Sequence, residues 1–272
     1  MNEITTALVK ELRERTGLGI MECKTSLIEV NGNIELAIKN MRKSGIIKAA
    51  KKSCNAVVEG LINVQISDGY AMILEVNCET DFVAKHNVFQ GFVGDIMHTA
   101  ITKKLTDINK LKSQFEEERI ALISKFGENI NIRRIAILEG TELNCYQHSE
   151  RIGVLISTQG LNKTLSKQIA MHITASKPEF IKPEDVPNYV IKNEYEIQLE
   201  ITAKSNKPKE IIEKIVAGRM KKFIEEISLI SQLFIFDQNK SVMQILEAEN
   251  ASVINFIRFE LGEAIETPKL IY

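Results

Sequence analysis

The sequence predicts an α+β fold, and three patterns along its 272 residues indicate it. The first fifty or so residues have the apolar spacing of three to four positions that is typical of helices. Two alternating runs joined by a glycine turn follow them and predict a β-hairpin, after which comes an amphipathic helix. Near the middle of the chain a strand and then a helix recur in the same order, which favours two related α+β halves.

The N-terminal segment, 1–54, is predicted to form a compact module of three helices. Glycine-containing breaks at 16–19 and 31–33 separate its three apolar patterns, and such breaks commonly end helices. Basic side chains outnumber acidic ones in this module, and no acid lies between Glu35 and Glu59. We therefore expect a basic tether to leave the module.

Segment 55–140 is predicted to be the first half of the core. Its hairpin turns at Ser67-Asp68-Gly69, since Asp-Gly favours tight turns between strands. An amphipathic helix follows the hairpin, and a second helix covers about Leu111–Lys125. A strand then runs from Ile130 to Leu138, and its apolar phase slips by one residue at the arginines 133 and 134. Such a slip predicts a β-bulge.

The second half of the core is predicted to consist of 141–182 and 227–262, on either side of a helical insertion. Its predicted elements are a strand at Ile152–Ile156, a helix at Leu165–Ala175, strands at about Ile227–Phe236 and Val253–Leu261, and a helix near Val242–Glu249. A Met-His pair occurs in the main helix of each half, at Met97-His98 and at Met171-His172. This match supports a repeat of one plan.

Segment 183–226 is predicted to hold two helices, at about Asn188–Ser205 and Pro208–Phe223. Val190, Ile197 and Ile201 are expected to line one face of the first helix. The pattern alone allows either two core helices or a protruding antiparallel hairpin. The remaining residues, 263–272, are predicted to form a short C-terminal tail.

The composition predicts a cytoplasmic protein without catalytic machinery. The 35 basic and 36 acidic side chains give a net charge of −1, which argues against binding DNA by overall charge. The four cysteines lack the spacing of a zinc or redox pair, and the histidines lack metal-ligand spacing. No glycine motif for phosphate, no signal peptide and no apolar run of about 18 residues is present. We predict no catalytic residue, metal or cofactor, and no membrane contact.

One short segment, Asn77–Lys85, is a candidate for binding. It lies between a predicted strand and a predicted helix, where loops often present binding residues. Thr80 or Asp81 can cap the helix. The pattern alone favours burial of Phe82 beside Phe89, because phenylalanine is usually buried.

Several motifs together resemble the bacterial translation elongation factor Ts family. These motifs are Leu12–Gly17, Met21–Lys24, Asn77–Lys85, Gly127–Arg134, Ser176–Phe180 and Phe256–Glu260. They span essentially the whole chain and occur in the order found in that family. The resemblance implies an N-terminal module like a ubiquitin-associated domain, a core of two α+β subdomains with antiparallel sheets, and an inserted antiparallel coiled-coil hairpin.

The resemblance also implies a function, which is guanine-nucleotide exchange on elongation factor Tu without covalent chemistry. Thr80, Asp81, Phe82 and Val83 would dislocate Mg²⁺ from that GTPase, with Phe82 inserted between two of its helices. Further contacts are implied for Phe126, Gly127 and His148 in the core, and for Arg13, Ile20, Met21 and Lys52 in the N-terminal module. No direct contact with nucleic acid is expected. A heterotetramer, or self-association through the helical hairpin, is left open.

Two other classes of function compete with this one. A nucleic-acid-binding module is suggested by the basic stretch Lys39–Lys52, although it lacks interleaved aromatic residues. A thiol enzyme is suggested by Cys78 and His148, although nothing in the sequence fixes their geometry. Salt-dependent RNA binding would support the first, and loss of turnover in Cys78→Ala the second.

Overall fold

Helices and small antiparallel sheets make up the chain, which confirms the α+β prediction. The computed structural model describes residues 4–203 and 208–265. Its helices are α1 (Thr6–Thr16), α2 (Ile20–Glu29), α3 (Ile34–Lys52), α4 (Asp81–Ala84), α5 (Asn87–Thr102), α6 (Ile108–Gln114), α7 (Glu116–Phe126), α8 (Lys163–Ser176), α9 (Asn188–Ala203), α10 (Lys209–Ile227) and α11 (Val242–Ala248). Its strands are β1 (Glu59–Ser67), β2 (Tyr70–Cys78), β3 (Asn131–Glu139), β4 (Glu142–His148), β5 (Ile152–Gln159), β6 (Leu233–Phe234), β7 (Asp237–Ser241) and β8 (Ser252–Glu260).

The three predicted N-terminal helices are present and enclose a small core of their own. Thr5 and Asn33 cap α1 and α3, because their side chains accept hydrogen bonds from Leu8 N and Leu36 N. Gly17, at φ 70°, ends α1 in the left-handed conformation that glycine adopts most easily. The buried apolar side chains of this module are Val9, Leu12, Leu18, Cys23, Leu27, Val30, Ala37 and Met41.

The prediction of a basic tether is wrong, because α3 continues to Lys52 as one helix. Its lysines, alanines and isoleucines are compatible with a helix, and its charged side chains face the solvent. Gly45 lies where α3 crosses α7, and a Cβ atom there would stand 2.8 Å from Ser124 Oγ and 3.2 Å from Ile120 Cγ2. The absence of a side chain at Gly45 therefore allows the module to pack closely against the core.

The first sheet has the order β1-β2-β3, and its hairpin turns within the predicted Ser67-Asp68-Gly69, at Asp68-Gly69, with Ser67 still paired to Tyr70. The predicted bulge is confirmed, because Glu75 opposes Arg134 while Val76 opposes Ile132, which leaves Arg133 as the extra residue. Helix α5 covers one face of the sheet with buried side chains, as its pattern predicts.

The single helix predicted at Leu111–Lys125 is instead two, α6 and α7, which meet at Phe115. Phe115 leaves the helical conformation there and turns its buried ring edge-on to Phe92, with 6.1 Å between ring centroids. Packing of this ring against the core explains a break that the local pattern does not contain.

The bulge allows two consecutive arginines to reach one buried carboxylate, Glu75 on β2. Arg133 Nη1 lies 2.8 Å and Arg134 Nε 2.6 Å from its oxygens, and Gly262 N, just beyond β8, donates at 3.0 Å. Burial raises the pKa of Glu75, but the hydrogen bonds from Gly262, Asn77 and the two arginines outweigh it and lower the pKa below its ordinary value. This ion cluster joins the first sheet to the end of the second.

The second sheet, β4-β5-β8, repeats the plan of the first. In both sheets a hairpin comes first, its second strand is central, and the third strand pairs with it after a largely helical segment. The Met-His pairs are not equivalent, however. His98 is exposed, whereas His172 is buried and hydrogen-bonded to Gln232, and burial lowers the pKa of His172.

Two elements of the second half differ from the prediction. The prediction contains no strand at the position of β4. The prediction of a strand at Ile227–Phe236 is wrong. Residues Leu229–Ser231 form a 3₁₀ turn, and only β6 remains extended. Leu229 N and Ile230 N donate to the backbone oxygens of Phe180 and Ile181, so contacts from a distant segment decide the local structure.

The two sheets pack face to face, with helices outside them. Their shared apolar layer contains Ile62, Ala71, Ile73, Leu138, Leu155, Phe259 and Leu261. Gly153 allows this close approach, because a Cβ atom there would lie 2.7 Å from Ile62 Cγ2 and 2.8 Å from Ile73 Cδ1. Both faces of the central strand β2 are buried as a result.

Helices α9 and α10 pack against each other, but the apolar stripe predicted for α9 is wrong in part. Ile197 and Ile201 are exposed. Arg219 of α10 instead lies 3.2 Å from Gln198 Oε1, so a polar side chain of α9 faces the partner helix. The predicted turn 205–207 and the tail from 266 onward lie outside the described residues. The division into subdomains, the coiled-coil nature of the hairpin and the likeness of the module to a ubiquitin-associated domain stay predictions.

Candidate protein-interaction site

Phe82 projects into solvent from a single helical turn at the end of the central strand. Its side chain is 82% exposed, more than that of any other large hydrophobic residue in the parts of the chain that the structure describes. The expectation of burial beside Phe89 is therefore wrong. Val83 and Ala84 turn inward and are buried, and successive positions on a helix point in different directions, so Phe82 faces outward.

The one-turn helix α4 is capped as predicted, by Thr80. Thr80 has extended backbone angles, and its Oγ1 accepts a hydrogen bond from Val83 N at 3.5 Å. Asp81 in the first turn is favourably placed for the helix dipole. Lys85 Nζ donates to Asp81 Oδ2 at 2.7 Å, and this hydrogen bond lowers the pKa of Asp81. The carboxylate of Asp81 is thus ionised beside Phe82 at neutral pH.

The backbone before Phe82 is held by side chains from the turn between α7 and β3. Glu128 accepts two hydrogen bonds from Thr80, at 3.0 Å from its N and at 2.7 Å from its Oγ1. Glu79 Oε1 accepts from Asn129 N at 2.6 Å and from Asn55 Nδ2 at 2.9 Å. We call the residues Thr80–Lys85 the Phe82 segment, and these bonds attach it to the core.

Phe126 and Gly127 directly precede Glu128, so the structure brings these two predicted contact residues beside the Phe82 segment. Gly127 ends α7 at φ 71°, with its N–H bonded to Ile123 O. The ring of Phe126 packs edge-on against His86, with 5.0 Å between centroids. His86 in turn caps α5, which begins just after the segment.

Lys52 at the end of α3 also reaches this region, since its Nζ lies 4.0 Å from Glu79 Oε1. One turn earlier, Lys48 pairs with Glu22 in the first turn of α2. Ile20 and Met21 precede Glu22 and are both exposed. The predicted contacts of the N-terminal module are therefore connected to the Phe82 segment through the last two turns of α3.

Arg13 is exposed in the last turn of α1, and a short loop separates it from Ile20 in α2. Its placement on the surface of the module fits the predicted contact.

His148 is exposed at the end of β4, where its Nδ1 lies 3.2 Å from Tyr146 Oη. The next turn leads to Arg151, whose Nη1 lies 2.5 Å from Glu59 Oε2. Glu59 pairs in register with Cys78, two residues before Thr80. His148 therefore lies toward the same end of the packed sheets as the Phe82 segment.

Cys78 has the environment of a core residue, which argues against a thiol nucleophile. It is fully buried, and its Sγ donates to Thr80 O at 3.1 Å. Burial, with a smaller effect of the Glu128 and Glu59 charges, raises its pKa to about 12. A thiol with this pKa is almost entirely protonated at neutral pH and is a poor nucleophile.

Neither a metal site nor a membrane helix is found in residues 4–203 and 208–265. No three side chains among His, Cys, Asp and Glu in these ranges are grouped to hold an ion. No helix in them is long and apolar enough to cross a bilayer.

Sequence reasoning missed the support that Glu128 and Asn129 give to the site. Glu128 is 48 positions from Thr80 and Asn129 is 50 positions from Glu79, and no local pattern signals such pairing. The quoted motif Gly127–Arg134 contains both residues, but by itself it does not connect them to Asn77–Lys85.

Comparison with known proteins adds a family to this geometry. Residues 79–263 match a family model described as "Elongation factor TS". Proteins named "Elongation factor Ts" from Enterobacter sp. (strain 638), Pectobacterium carotovorum subsp. carotovorum (strain PC1) and Klebsiella pneumoniae (strain 342) are each 59% identical to this chain over 266 residues. Each match covers 98% of this chain and 94% of the relative, so it includes the N-terminal module.

Proposed function

The chain belongs to the elongation factor Ts family and is thus a translation elongation factor, and from this premise we propose that it exchanges guanine nucleotides on elongation factor Tu. It binds the GDP form of that GTPase, dislocates Mg²⁺ and promotes GDP release, so that GTP can bind. It makes and breaks no covalent bonds of its own. Its place of action is the cytoplasm, where translation takes place.

The exposed ring of Phe82 is the observation that carries this proposal. Leaving a large apolar side chain in water forgoes about 1.5–3 kcal/mol that burial would provide, and a partner with a matching cleft recovers it. Aromatic side chains in such positions commonly dominate binding energy. Because Thr80 and Glu79 are already hydrogen-bonded, little conformational entropy is lost when the segment binds.

In the proposed mechanism, Phe82 inserts between helices of the GTPase domain and displaces them. Asp81, whose pKa its hydrogen bond to Lys85 lowers, introduces negative charge next to this insertion. The side chain of Thr80 accepts a hydrogen bond from Val83 N, and this cap orients the turn. Together the four residues disturb the elements of elongation factor Tu that hold Mg²⁺ and the β-phosphate.

One inserted ring is not enough for a large acceleration. Each factor of ten in GDP release requires about 1.4 kcal/mol, so a ten-thousandfold gain requires about 5.5 kcal/mol. The remaining proposed contacts are Phe126, Gly127 and His148 in the core and Arg13, Ile20, Met21 and Lys52 in the module. Coupling is reciprocal, so GDP must weaken the binding of this protein as much as this protein weakens the binding of GDP.

The test is the release of a fluorescent GDP from elongation factor Tu, with the wild type, with Phe82→Ala and with Tyr189→Ala. Tyr189 is an exposed aromatic residue on α9 and serves as the matched control. We expect strong acceleration by the wild type and by Tyr189→Ala, and a large loss in Phe82→Ala. A folded wild type that does not accelerate release would contradict the proposed function.

We further propose that contacts with nucleic acid are absent, and that self-association, if it occurs, uses the α9–α10 hairpin. The exposure of Ile197 and Ile201 supports the choice of this surface. Light scattering of the free protein and of its complex with elongation factor Tu, compared with Ile197→Glu, measures the stoichiometry. A dimer or heterotetramer that Ile197→Glu leaves intact would contradict the role of the hairpin.

A further inference from the structure

We infer that Glu128 is a positioning residue for nucleotide exchange: it holds the Phe82 segment in the orientation in which Phe82 meets the partner. The inference rests on the proposed function and adds to it a residue that does not itself touch the GTPase. Glu128 follows Gly127, whose left-handed conformation turns the chain away from α7 and toward β3.

The geometry at Thr80 is specific. Both Thr80 donors, the backbone N–H and the hydroxyl, are bound by the two oxygens of one carboxylate, at 3.0 and 2.7 Å. The hydroxyl proton of Thr80 points to Glu128, so a lone pair of Oγ1 is directed to Val83 N. Oγ1 accepts the hydrogen bond that Val83 N donates, at 3.5 Å. Glu128 therefore fixes the orientation of the cap from which the turn starts.

The other side-chain bonds that hold this region to the core do not bind the N–H or the hydroxyl proton of Thr80. The Cys78 thiol donates to Thr80 O, and Glu79 binds Asn55 and Asn129. Within the described ranges, the hydrogen bonds at Thr80 N and from its hydroxyl proton go to Glu128. Hydrogen bonds to an ionised carboxylate are about twice as strong as neutral ones, and Glu128 is partly shielded from water.

A helix of one turn depends on such a support. Isolated helical turns are unstable because nucleation is unfavourable, and α4 has only four residues. Without Glu128 the turn would populate the binding-competent orientation for only part of the time. The apparent affinity falls in proportion to that populated fraction, whereas the fully bound complex is unchanged. We expect Glu128→Ala to lower the kcat/KM of exchange about tenfold, with the maximal rate at saturating factor changed less than about twofold.

The experiment measures fluorescent GDP release from elongation factor Tu over a range of factor concentrations. The variants are Glu128→Ala, Glu128→Gln, Phe82→Ala and Phe82→Ala with Glu128→Ala. Glu139→Ala is the matched control, since Glu139 is an exposed carboxylate paired with Lys104 at 2.6 Å. Gln at 128 retains an oxygen for the Thr80 N–H, but its NH2 group cannot accept the Thr80 hydroxyl proton, so we expect an activity between those of the wild type and Glu128→Ala.

Two results are expected if Glu128 acts through Phe82. The double variant should lose clearly less than the two single losses combined, because the ring that Glu128 mainly positions is absent from it. Hydrogen exchange should become faster in peptides covering 80–85 of Glu128→Ala, while peptides of α5 keep their protection.

Each contrary result has one meaning. If the wild type fails to accelerate GDP release, the proposed function fails. If the wild type accelerates it and Glu128→Ala does so equally, or if the double variant shows the sum of both losses, the positioning role is overturned. If Glu128→Ala does not fold, Thr80→Val takes its place, because it removes the hydroxyl bond to Glu128. Thr80→Val also removes the cap of α4, and we expect a loss of severalfold that becomes smaller in combination with Phe82→Ala; an additive loss overturns the inference.

Discussion

The two strand-to-helix junctions of the core occupy the same place in the two halves of the fold but have different structures. Between β2 and α5 the chain forms α4, with Phe82 exposed. Between β5 and α8 it forms only a short loop, in which Gly160 takes φ 79° and Leu161 packs against the apolar cluster of the second half. Of the two junctions, only the first therefore presents a large exposed aromatic side chain.

The caps of the two junctions are alike, which makes the difference sharper. Thr80 accepts from Val83 N, and Asn162 accepts from Leu165 N at 2.9 Å. Thr80 is in addition bound twice by Glu128. The comparison suggests that an exposed aromatic residue on a short turn requires a second support, whereas a loop that packs against the core does not.

The largest expected effect concerns the register shifts that both central strands share. The shift in β2 lies beside Glu75, whose carboxylate forms the buried ion cluster. The shift in β5 lies at Ser157–Thr158, whose side chains are neutral. Glu75→Ala leaves two arginines without their counter-charge, so we expect a loss of about 3–5 kcal/mol in the free energy of unfolding. Thr158→Ala removes one long hydrogen bond and should cost about 1 kcal/mol or less. Urea unfolding measures both, and equal losses would show that the two halves are stabilised alike.

The same carboxylate gives the first half its own pH dependence. The pKa of Glu75 is lowered in the folded state. The charge of Glu75 therefore contributes fully to the free energy of unfolding above the pKa of the unfolded chain, and this contribution is lost as the pH falls through the pKa of the folded state. The gap in unfolding free energy between the wild type and Glu75→Gln should narrow as the pH falls from about 6 to about 3. A gap that stays constant over this range would show that the charge of Glu75 does not contribute.

The next effect separates function from stability at the two junctions. Phe82→Ala should slow exchange about thirtyfold, which corresponds to roughly 2 kcal/mol, and leave the melting temperature unchanged because the ring touches little in the free protein. Leu161→Ala should do the reverse and lower stability by about 1 kcal/mol while exchange persists. A loss of exchange in Leu161→Ala at full stability would break the comparison.

A smaller effect is expected at the caps. Asn162→Ala should cost about 1 kcal/mol of stability with exchange unaltered, since α8 extends for three further turns. Thr80→Ala should cost a similar amount and also slow exchange, since it removes one of the bonds to Glu128 as well as the cap. Equal exchange rates for the two variants would indicate that the cap of α4 serves stability alone.

The smallest effect concerns the ion pair in the Phe82 segment. Lys85→Ala removes the hydrogen bond that lowers the pKa of Asp81, so that pKa should rise toward its ordinary value in an NMR titration. The unfolding free energy should change by less than about 0.5 kcal/mol, as is usual for exposed pairs. An unchanged pKa of Asp81 would mean that another group controls it.

The features that were predictable from the sequence are those with a local cause. The bulge at Arg133 follows from a slip in apolar phase that lies within one strand, and the turn at Asp68-Gly69 from its own two residues. The three N-terminal helices follow from their spacing and their breaks. The choice of Thr80–Lys85 as the proposed binding segment rests on its resemblance to a family motif, and the apolar pattern alone predicted a buried Phe82.

The features that were not predictable depend on distant partners. The exposure of Phe82 depends on which way a four-residue turn faces, and the cap of that turn, Thr80, is bound by Glu128 from 48 positions further along the chain. The segment after α10 looks extended but is bent by bonds to Phe180 and Ile181. The hydrophobic side of α9 was misjudged because α10 presents Arg219 to it.

The continuous helix α3 has a consequence for how the protein holds a second molecule. Lys48, which meets the module, and Lys52, which meets Glu79, lie one turn apart, about 6 Å along the axis. If a flexible linker replaced the helix here, one surface could bind while the other moved freely. The effective concentration of the second surface at its binding site would then be limited. The helix instead keeps the two surfaces at one spacing, and under the proposed function bivalent binding would be restricted to a GTPase whose own two surfaces have the matching separation.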